Sequence, residues 1–358
     1  MATTYGKNIR LTIYGGSHDE SIGMTLSGVP SGVKIDTDKL LTFMKRRAPG
    51  QNAYSTKRRE PDIPVFLSGI CNGVTNGDDI RAVIYNTNQR SGDYSNLTDI
   101  PRPSHADYAA IVKYGGNVDL RGGGHFSGRL TAPMCIAGGI CLQILEQKGI
   151  QIAAHIHSIA EICDRDFDTV NVSEREFEKL SQNPFPTIDT GAGIDMQKKI
   201  EEARLDGDSV GGIIECAAIG LPVGLGEHMF DGVEGRISQI IFGIPAVKGI
   251  EFGLGFGSAA IFGSQNNDPF YTDGKTVRTL TNNAGGVIGG MSSGMPLIFK
   301  VAFKPTPSIA KKQQSVSLSR MENVELEIGG RHDPCVVPRA VPVVEAACAI
   351  AIFDMLSD

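Results

Sequence analysis

Tryptophan is missing from this chain, and aromatic residues make up only 6% of it. A nucleic-acid surface needs aromatics interleaved with basic residues for base stacking, usually on a basic domain. Here Asp and Glu (40) outnumber Lys and Arg (34), for a formal net charge of −6. No nucleic-acid partner is expected. The positive charge instead forms islands at 45–47, 57–59 and 102–129. A cationic island on an acidic protein suits the steering of a small anion.

No C-x-x-C is present. The seven cysteines (71, 135, 141, 163, 216, 335 and 348) are odd in number and scattered, mostly in apolar runs. They read as reduced thiols of a cytoplasmic protein. No Cys or His pair shows ligand spacing, so no metal is expected. The start, MATTYGKNIRLTIYGG, lacks the apolar core of a signal peptide. No apolar run approaches the roughly 18 residues that span a bilayer, so no membrane association is expected.

Glycine is plentiful: 44 residues, against roughly 25 at average usage. Together with 41% hydrophobic residues over 358 positions, this predicts a sheet-rich fold with a sizeable core and Gly-lined loops. Short apolar or alternating runs read as strands at Ile9–Tyr14, Gly23–Ser27, Val65–Ile70, Asp79–Tyr85, Ile152–His157, Gly212–Ile219 and Leu297–Phe303. Helices are predicted after an Asp36 N-cap, over Ser127–Lys148, after a Ser173/Glu176 capping box, over Met196–Leu205 and over Val341–Leu356.

A weak repeat is visible. Strand, then Gly28-Val29-Pro30-Ser31-Gly32-Val33, then helix reappears as strand, Gly220-Leu221-Pro222-Val223-Gly224-Leu225, and helix Val233–Phe242. This suggests a duplicated unit with two pseudo-symmetric layered halves, although G-x-P-x-G is also a common turn composition. No linker interrupts the chain, so residues 1–358 read as one α+β domain.

The cationic island RPSHADYAAIVKYGGNVDLRGGGHFSGR (102–129) gathers Arg102, His105, Lys113, Arg121, His125 and Arg129 around Gly122–Gly124. Glycines admit close backbone approach, and arginine forks clamp carboxylates and phosphates. His18 follows the first strand in Gly15-Gly16-Ser17-His18, either meeting a ligand or decorating a turn. His105 opens a helical run whose dipole disfavours the imidazolium. Arg47, beside the Pro49-Gly50 turn, is an anion-ligand candidate, whereas Lys57–Glu60 reads as a solvated charge run. The glycine pairs of 282–294 could form an anion nest. Lys304–Ser308 and Gly329–Cys335 add an ammonium, hydroxyls, a guanidinium and the carboxylate of Asp333, a group able to handle protons.

These segments, together with KRRAPGQN, STKRREPD, GDSVGG, GLPVGLGE, AVKGIEFG, NNAGGVIGGMSSG, FKPTPSI and GRHDPCVVPRAVPVVEA, resemble the chorismate synthase family in its own order, from about residue 6 to 356. The resemblance implies a β-α-β layered sandwich with an internal pseudo-two-fold repeat, assembled as a homotetramer. The implied activity is that of a carbon–oxygen lyase in the shikimate pathway to aromatic amino acids. It would eliminate phosphate from 5-enolpyruvylshikimate 3-phosphate in a trans-1,4 sense, using reduced FMN without net redox change. By position, His18 would protonate the departing phosphate, His105 would face the flavin N1–C2=O edge, and Asp333 would assist proton traffic at flavin N5. The flavin would contact His125, Phe126, Ser127, Pro245, Ala246, Gly289, Lys304, Pro305, Thr306, Pro307, Ser308 and Arg331. Arg47 matches a position linked to NADPH, and Arg47, Arg121, Arg129 and Arg339 are candidates for the substrate's anionic groups. The chain departs from the family at Gly16 and Asp19, at Ala53, at His125-Phe126 and at Pro245, which has no N–H to donate. A flavin oxidoreductase using NADPH and a non-catalytic anion sensor are the competing expectations.

Overall fold

A computed structural model describes residues 1–50, 60–86, 99–328 and 333–358. From the N-terminus run β1 (Ala2–Tyr5), β2 (Arg10–Gly15), β3 (Ser21–Ser27), α1 (Thr37–Arg47), β4 (Val65–Ser68), the short hairpin β5 (Ile70–Cys71) and β6 (Val74–Thr75), β7 (Ile80–Tyr85), α2 (Asp107–Tyr114) and α3 (Thr131–Glu146). There follow β8 (Gln151–Ile159), β9 (Ile162–Cys163), α4 (Glu174–Gln182), α5 (Thr190–Leu205), β10 (Gly212–Ile219), α6 (Val233–Ile241), β11 (Val247–Phe252) and α7 (Gly263–Asn266). The chain closes with β12 (Phe270–Thr272), β13 (Val277–Thr279), β14 (Val287–Ile288), β15 (Met291–Ser292), β16 (Leu297–Phe303), β17 (Gln313–Ser317), β18 (Glu322–Leu326) and α8 (Val337–Met355).

Two five-stranded antiparallel sheets have the orders β1-β2-β3-β7-β4 and β11-β16-β10-β8-β9. Between them lie α1, α3, α6 and α8. α3 packs on β2, β3 and β7, while α8 packs on β8 and β10. These two central helices meet closely: a β-carbon on Gly138 would stand 2.2 Å from Ala346 Cβ. Both are buried almost all round, as helices inside a layered core must be. Contrary to the sequence expectation, Gly128–Glu146 is long and apolar enough to cross a membrane, but 89% of it is buried in this middle layer.

The repeat is deeper than its sequence trace. The order β2-β3-α1-β4-hairpin-β7-α3 recurs as β8-β10-α6-β11-hairpin-β16-α8, with matching sheet positions. Gly28 (φ 86) and Gly220 (φ 80) occupy equivalent left-handed corners. A β-carbon there would meet Asn8 O at 2.6 Å and Gly149 O at 2.2 Å, carbonyls just ahead of β2 and β8 respectively. Thr75 Oγ1 donates to Pro30 O at 2.6 Å and accepts from Val33 N at 2.9 Å. Ser292 Oγ repeats this with Pro222 O at 2.5 Å and Leu225 N at 2.9 Å. A hydroxyl on each small hairpin thus clamps each G-x-P-x-G loop. No short-range sequence pattern carries that bond.

Asp36 caps α1 as expected, accepting from Lys39 N at 3.0 Å. Ser173 occupies the N-cap of α4 but makes no side-chain cap. The predicted capping box is absent because the Glu176 carboxylate is drawn to Arg165. The Val65–Ile70 run breaks at Gly69, where a β-carbon would lie 2.5 Å from Ile80 Cα.

Candidate active site

The start of β1, the loops leaving α1, α6 and β16, the segments ahead of α2 and α3 and the start of α8 line a cavity of about 950 Å³. The glycine run forms part of its wall. Gly122, Gly123 and Gly124 all have positive φ (58, 88 and 52), which bends the chain tightly ahead of α3. Ser17 N donates to Gly124 O at 3.1 Å, and His125 Nδ1–H donates to Gly15 O at 2.9 Å, joining the β2 turn to this run.

Two histidines flank the glycines. A β-carbon on Gly122 would stand 2.2 Å from His18 Cε1, so only glycine admits the ring there. Ser17 Oγ donates to Arg121 O at 3.0 Å and lies 3.1 Å from His18 Nδ1. Its single proton being used, the hydroxyl accepts from Nδ1–H and leaves Nε2 as the proton-exchanging nitrogen. His105 is built alike. Its Nδ1–H donates to Asp107 Oδ1 at 2.6 Å, and Nε2 would lie 3.5 Å from a β-carbon on Gly123. Asp107 is fully buried and also takes Arg102 Nε at 2.7 Å and Nη2 at 2.8 Å. Burial alone would raise its carboxyl, but the bonds from Arg102 and His105 hold it well below the usual carboxylate range.

The sign of that shift makes a prediction. A depressed carboxyl contributes stability above its ordinary value of 3.8, and loses it as pH falls through the folded value. Asp107→Asn should therefore be less stable than the parent at pH 7, and the gap should shrink toward pH 3. Denaturant unfolding at the two pH values checks it, and a gap that widened in acid would refute it.

The arginines form the floor. Arg47 binds Asp62 Oδ2 at 2.6 Å, Thr131 Oγ1 at 3.0 Å and Gly128 O at 2.9 Å. Arg129 binds the other oxygen of Asp62, Asn86 Oδ1 at 3.1 Å, and lies 3.1 Å from Glu60 Oε2. Arg339 pairs with Asp333 and donates to Arg47 O at 3.1 Å. Burial would raise the Asp62 carboxyl, but Arg47 and Arg129 keep it low. Sequence reading missed this acid partner. The nearby acid Glu60, assigned to a solvated charge run, is only 3% exposed. Lys57–Arg59 lie outside the described residues.

The cavity brings together His105, His125, Phe126, Ser127, Arg47, Arg129, Pro245, Ala246, Lys304, Thr306, Pro307, Ser308, Asp333 and Arg339; His18 is not part of its wall but lies against Gly122, which is. Three expected contacts lie elsewhere. The Arg121 guanidinium is exposed and held by Asp119 at 2.6 Å, because its backbone turns outward where Gly122 turns in. Pro305 lines a second pocket of about 400 Å³, its ring against Gly211 on the far side of the strap. Gly289 (φ 63) and Gly290 (φ 88) form the β14–β15 turn, matching Asn72 (φ 51) and Gly73 (φ 76) between β5 and β6. This geometry suits a two-residue hairpin with both φ positive, and Gly289 is not part of the cavity wall. The proposed nest at 282–294 is likewise structural, with Gly285 and Gly286 pressed on Gly253 and Leu297. Arg331 and Ala53 lie outside the described residues.

The sequence also missed the spacing of His155 and His157, alternate residues of β8. With Glu215 they could hold an ion, their ligand atoms lying within 4.8 Å. Both ring nitrogens of His155 are already engaged, Nδ1 by Asp164 at 3.1 Å and Nε2 by Glu215 at 2.9 Å. Burial disfavours the His155 imidazolium, but these carboxylates outweigh it and raise the pKa.

Thr306 Oγ1, at the cavity wall, is buried with no hydrogen-bond partner among the described residues. Two lining residues other than glycine, Ser104 (φ 59) and Ala246 (φ 74), hold left-handed backbone. An orphaned hydroxyl and local strain belong to a site shaped for a ligand.

A family model described as chorismate synthase matches residues 9–357. A curated chorismate synthase of Dehalococcoides mccartyi is 43% identical over 357 residues, covering 99% of this chain and 96% of that protein. One from Thermococcus kodakarensis is 45% identical over 352 residues, covering 98% and 96%. A solved crystal structure of chorismate synthase has a TM-score of 0.76 at 28% identity, covering 98% of this chain and 92% of that one.

Proposed function

The chain belongs to the chorismate synthase family, and from that premise we propose that its cavity turns 5-enolpyruvylshikimate 3-phosphate into chorismate and phosphate. The elimination is trans-1,4: the C6 hydrogen and the C3 phosphate leave, with no net redox change. Reduced FMN would lie along His125–Ser127, Pro245-Ala246, Lys304 and Thr306–Ser308, with NADPH as a source of reduction near Arg47. When bound, the reduced ring supplies electron density that eases phosphate departure. The orphaned Thr306 hydroxyl and the left-handed Ala246 suit such an occupant.

His18 delivers a proton to the leaving phosphate from behind Gly122. His105, its Nδ1–H fixed by Asp107, presents Nε2 for the N1–C2=O edge of the ring. Asp333, steadied by Arg339, would be the carboxylate that holds or moves a proton beside the ring. Arg47, Arg129 and Arg339 orient the substrate's anionic groups and keep water out. One observation carries this reading: both histidines meet at a single glycine run, beside a cavity wall that also holds Arg47, Arg102, Arg129 and Arg339, each paired with a carboxylate.

We read residues 1–358 as one unit, because a single hydrophobic cluster joins both sheets and the helices between them. Homotetramer formation would give the exposed aromatics Phe230 (88%), Phe256 (88%) and Phe262 (79%) surface to bury. A cytoplasmic setting fits the seven unpaired cysteines, two of them exposed.

The test is an anaerobic assay with added reduced FMN. Phosphate release without net flavin oxidation is expected. Flavin oxidation matched to a reduced product would make the protein an oxidoreductase, and ligand binding without turnover would make it a sensor.

A further inference from the structure

The second sheet carries a polar cluster on the face turned away from the middle layer, where Ala153, Ala217 and Ile298 pack against Phe167 and α4. None of its members (His155, His157, Asp164, Asp166, Glu215 and Lys300) lines the cavity. Glu215 on β10 stands directly opposite His155 on β8. Ile156 pairs with Ile214 and Ser158 with Ile213, so His157 is the extra residue of a β-bulge. Bulges re-aim a side chain. Here the two imidazoles stand edge to face with ring centroids 6.3 Å apart.

One ring nitrogen of each histidine and one oxygen of Glu215 lie within 4.8 Å of one another. Asp164 holds His155 Nδ1 at 3.1 Å, the supporting contact that orients a metal-ligating imidazole and presents its Nε2. Asp164 is itself fixed by Asp189 N at 2.8 Å, and Glu215 Oε2 accepts from Phe167 N at 2.8 Å. The Phe167 ring packs edge-on to His155, with centroids 4.7 Å apart. These groups are therefore held in place without an ion. His155 Nε2 and Glu215 Oε2 are 2.9 Å apart. Two ligands on a tetrahedral zinc ion stand roughly 3.3 Å apart, so the pair need open by only a few tenths of an ångström. His157 Nδ1 is buried 3.1 Å from Asp166 Oδ1, yet makes no aligned hydrogen bond among the described residues.

Charge in the cluster is unbalanced. Three carboxylates, Asp164, Asp166 and Glu215, meet one permanent cation among the described residues: Lys300 Nζ lies 2.7 Å from Asp166 Oδ1 and 3.9 Å from Glu215 Oε1. Two imidazoles beside excess carboxylate suit a divalent cation of borderline softness. We propose that His155, His157 and Glu215 form a site for a zinc-class divalent cation, outside the cavity, that ties β8 to β10. Three protein ligands leave a fourth position for water or for Asp166. The cation competes with the Lys300 ammonium for the same carboxylates.

The test uses the full chain, stripped with a chelator, and cobalt(II) as a coloured substitute for zinc. One cobalt ion per chain should bind with visible d–d bands, zinc should displace it, and either ion should raise the unfolding temperature. His157→Gln should weaken cobalt binding by more than the roughly 10–100-fold that loss of a supporting partner costs. Lys300→Met should act in the opposite direction and bind cobalt about tenfold more tightly, because a like charge beside the ion is gone. That opposite sign is a readout that a purely structural cluster would not give. A wild-type chain that binds no cobalt, binding that survives His157→Gln, or binding that Lys300→Met fails to strengthen overturns the site. An intense sulfur-to-cobalt band in the near ultraviolet also overturns it, by placing the ion on the exposed Cys71 or Cys163.

Discussion

Asp62→Asn should destabilise the protein by about 3–5 kcal/mol, the usual consequence of removing one partner from a buried ion pair. Asp62 is 1% exposed and takes Arg47 on one carboxylate oxygen and Arg129 on the other. Asparagine keeps the shape and tolerates the left-handed backbone at this position (φ 52). The substitution therefore tests charge alone. Without that charge two guanidiniums share a buried floor, Arg129 keeping Glu60 at 3.1 Å. Folding should weaken and the ends of α1 and α3 should separate there, lowering ligand affinity as well. Guanidinium denaturation at pH 7 measures the loss, and a change below about 1 kcal/mol, the scale of an exposed pair, would show that the floor does not depend on Asp62.

His18→Ala should reduce turnover by on the order of 100-fold or more, the scale of a lost general acid. Flavin binding should stay close to wild type, because His18 lies behind the glycine run and not in the flavin's proposed path. Gly122→Ala offers a second route to the same defect. Its β-carbon would press on the imidazole at 2.2 Å from a backbone with φ 58, displacing the ring without altering its chemistry. Both variants should lose phosphate release in the anaerobic assay. Near-normal turnover in His18→Ala would remove that residue from the mechanism, whatever Gly122→Ala did.

Much of the candidate site was legible because its chemistry is local in sequence. Arg102, His105 and Asp107 lie within six residues, and the Asp107 carboxylate accepts from both of the others. The Gly122–Gly124 run advertises a backbone that no other residue could follow. Arg121 and Arg129 differ in a way that sequence could not reveal. The first leans back on Asp119, two residues away, while the second crosses the fold to Asp62, 67 residues away. Only the path of the chain decides which arginine faces inward. Gly289 misled for a related reason: a glycine needed for a hairpin turn looks, in one dimension, like a glycine needed beside a ligand.

Periodicity, caps and turn residues were enough to place seven of the ten strands of the two large sheets, the central helices and a trace of the duplicated plan, because each depends on neighbours a few residues apart. The identity of the chemical groups was also written there, since arginine, histidine and glycine have few substitutes for these tasks. The sequence could not reveal which cations would be neutralised. Arg47, Arg129 and Arg339 found carboxylates, while Lys248 was turned out of register by a bulge and left facing the cavity. Coulomb energy depends on distance through space, and only the closing of two sheets over four helices sets those distances.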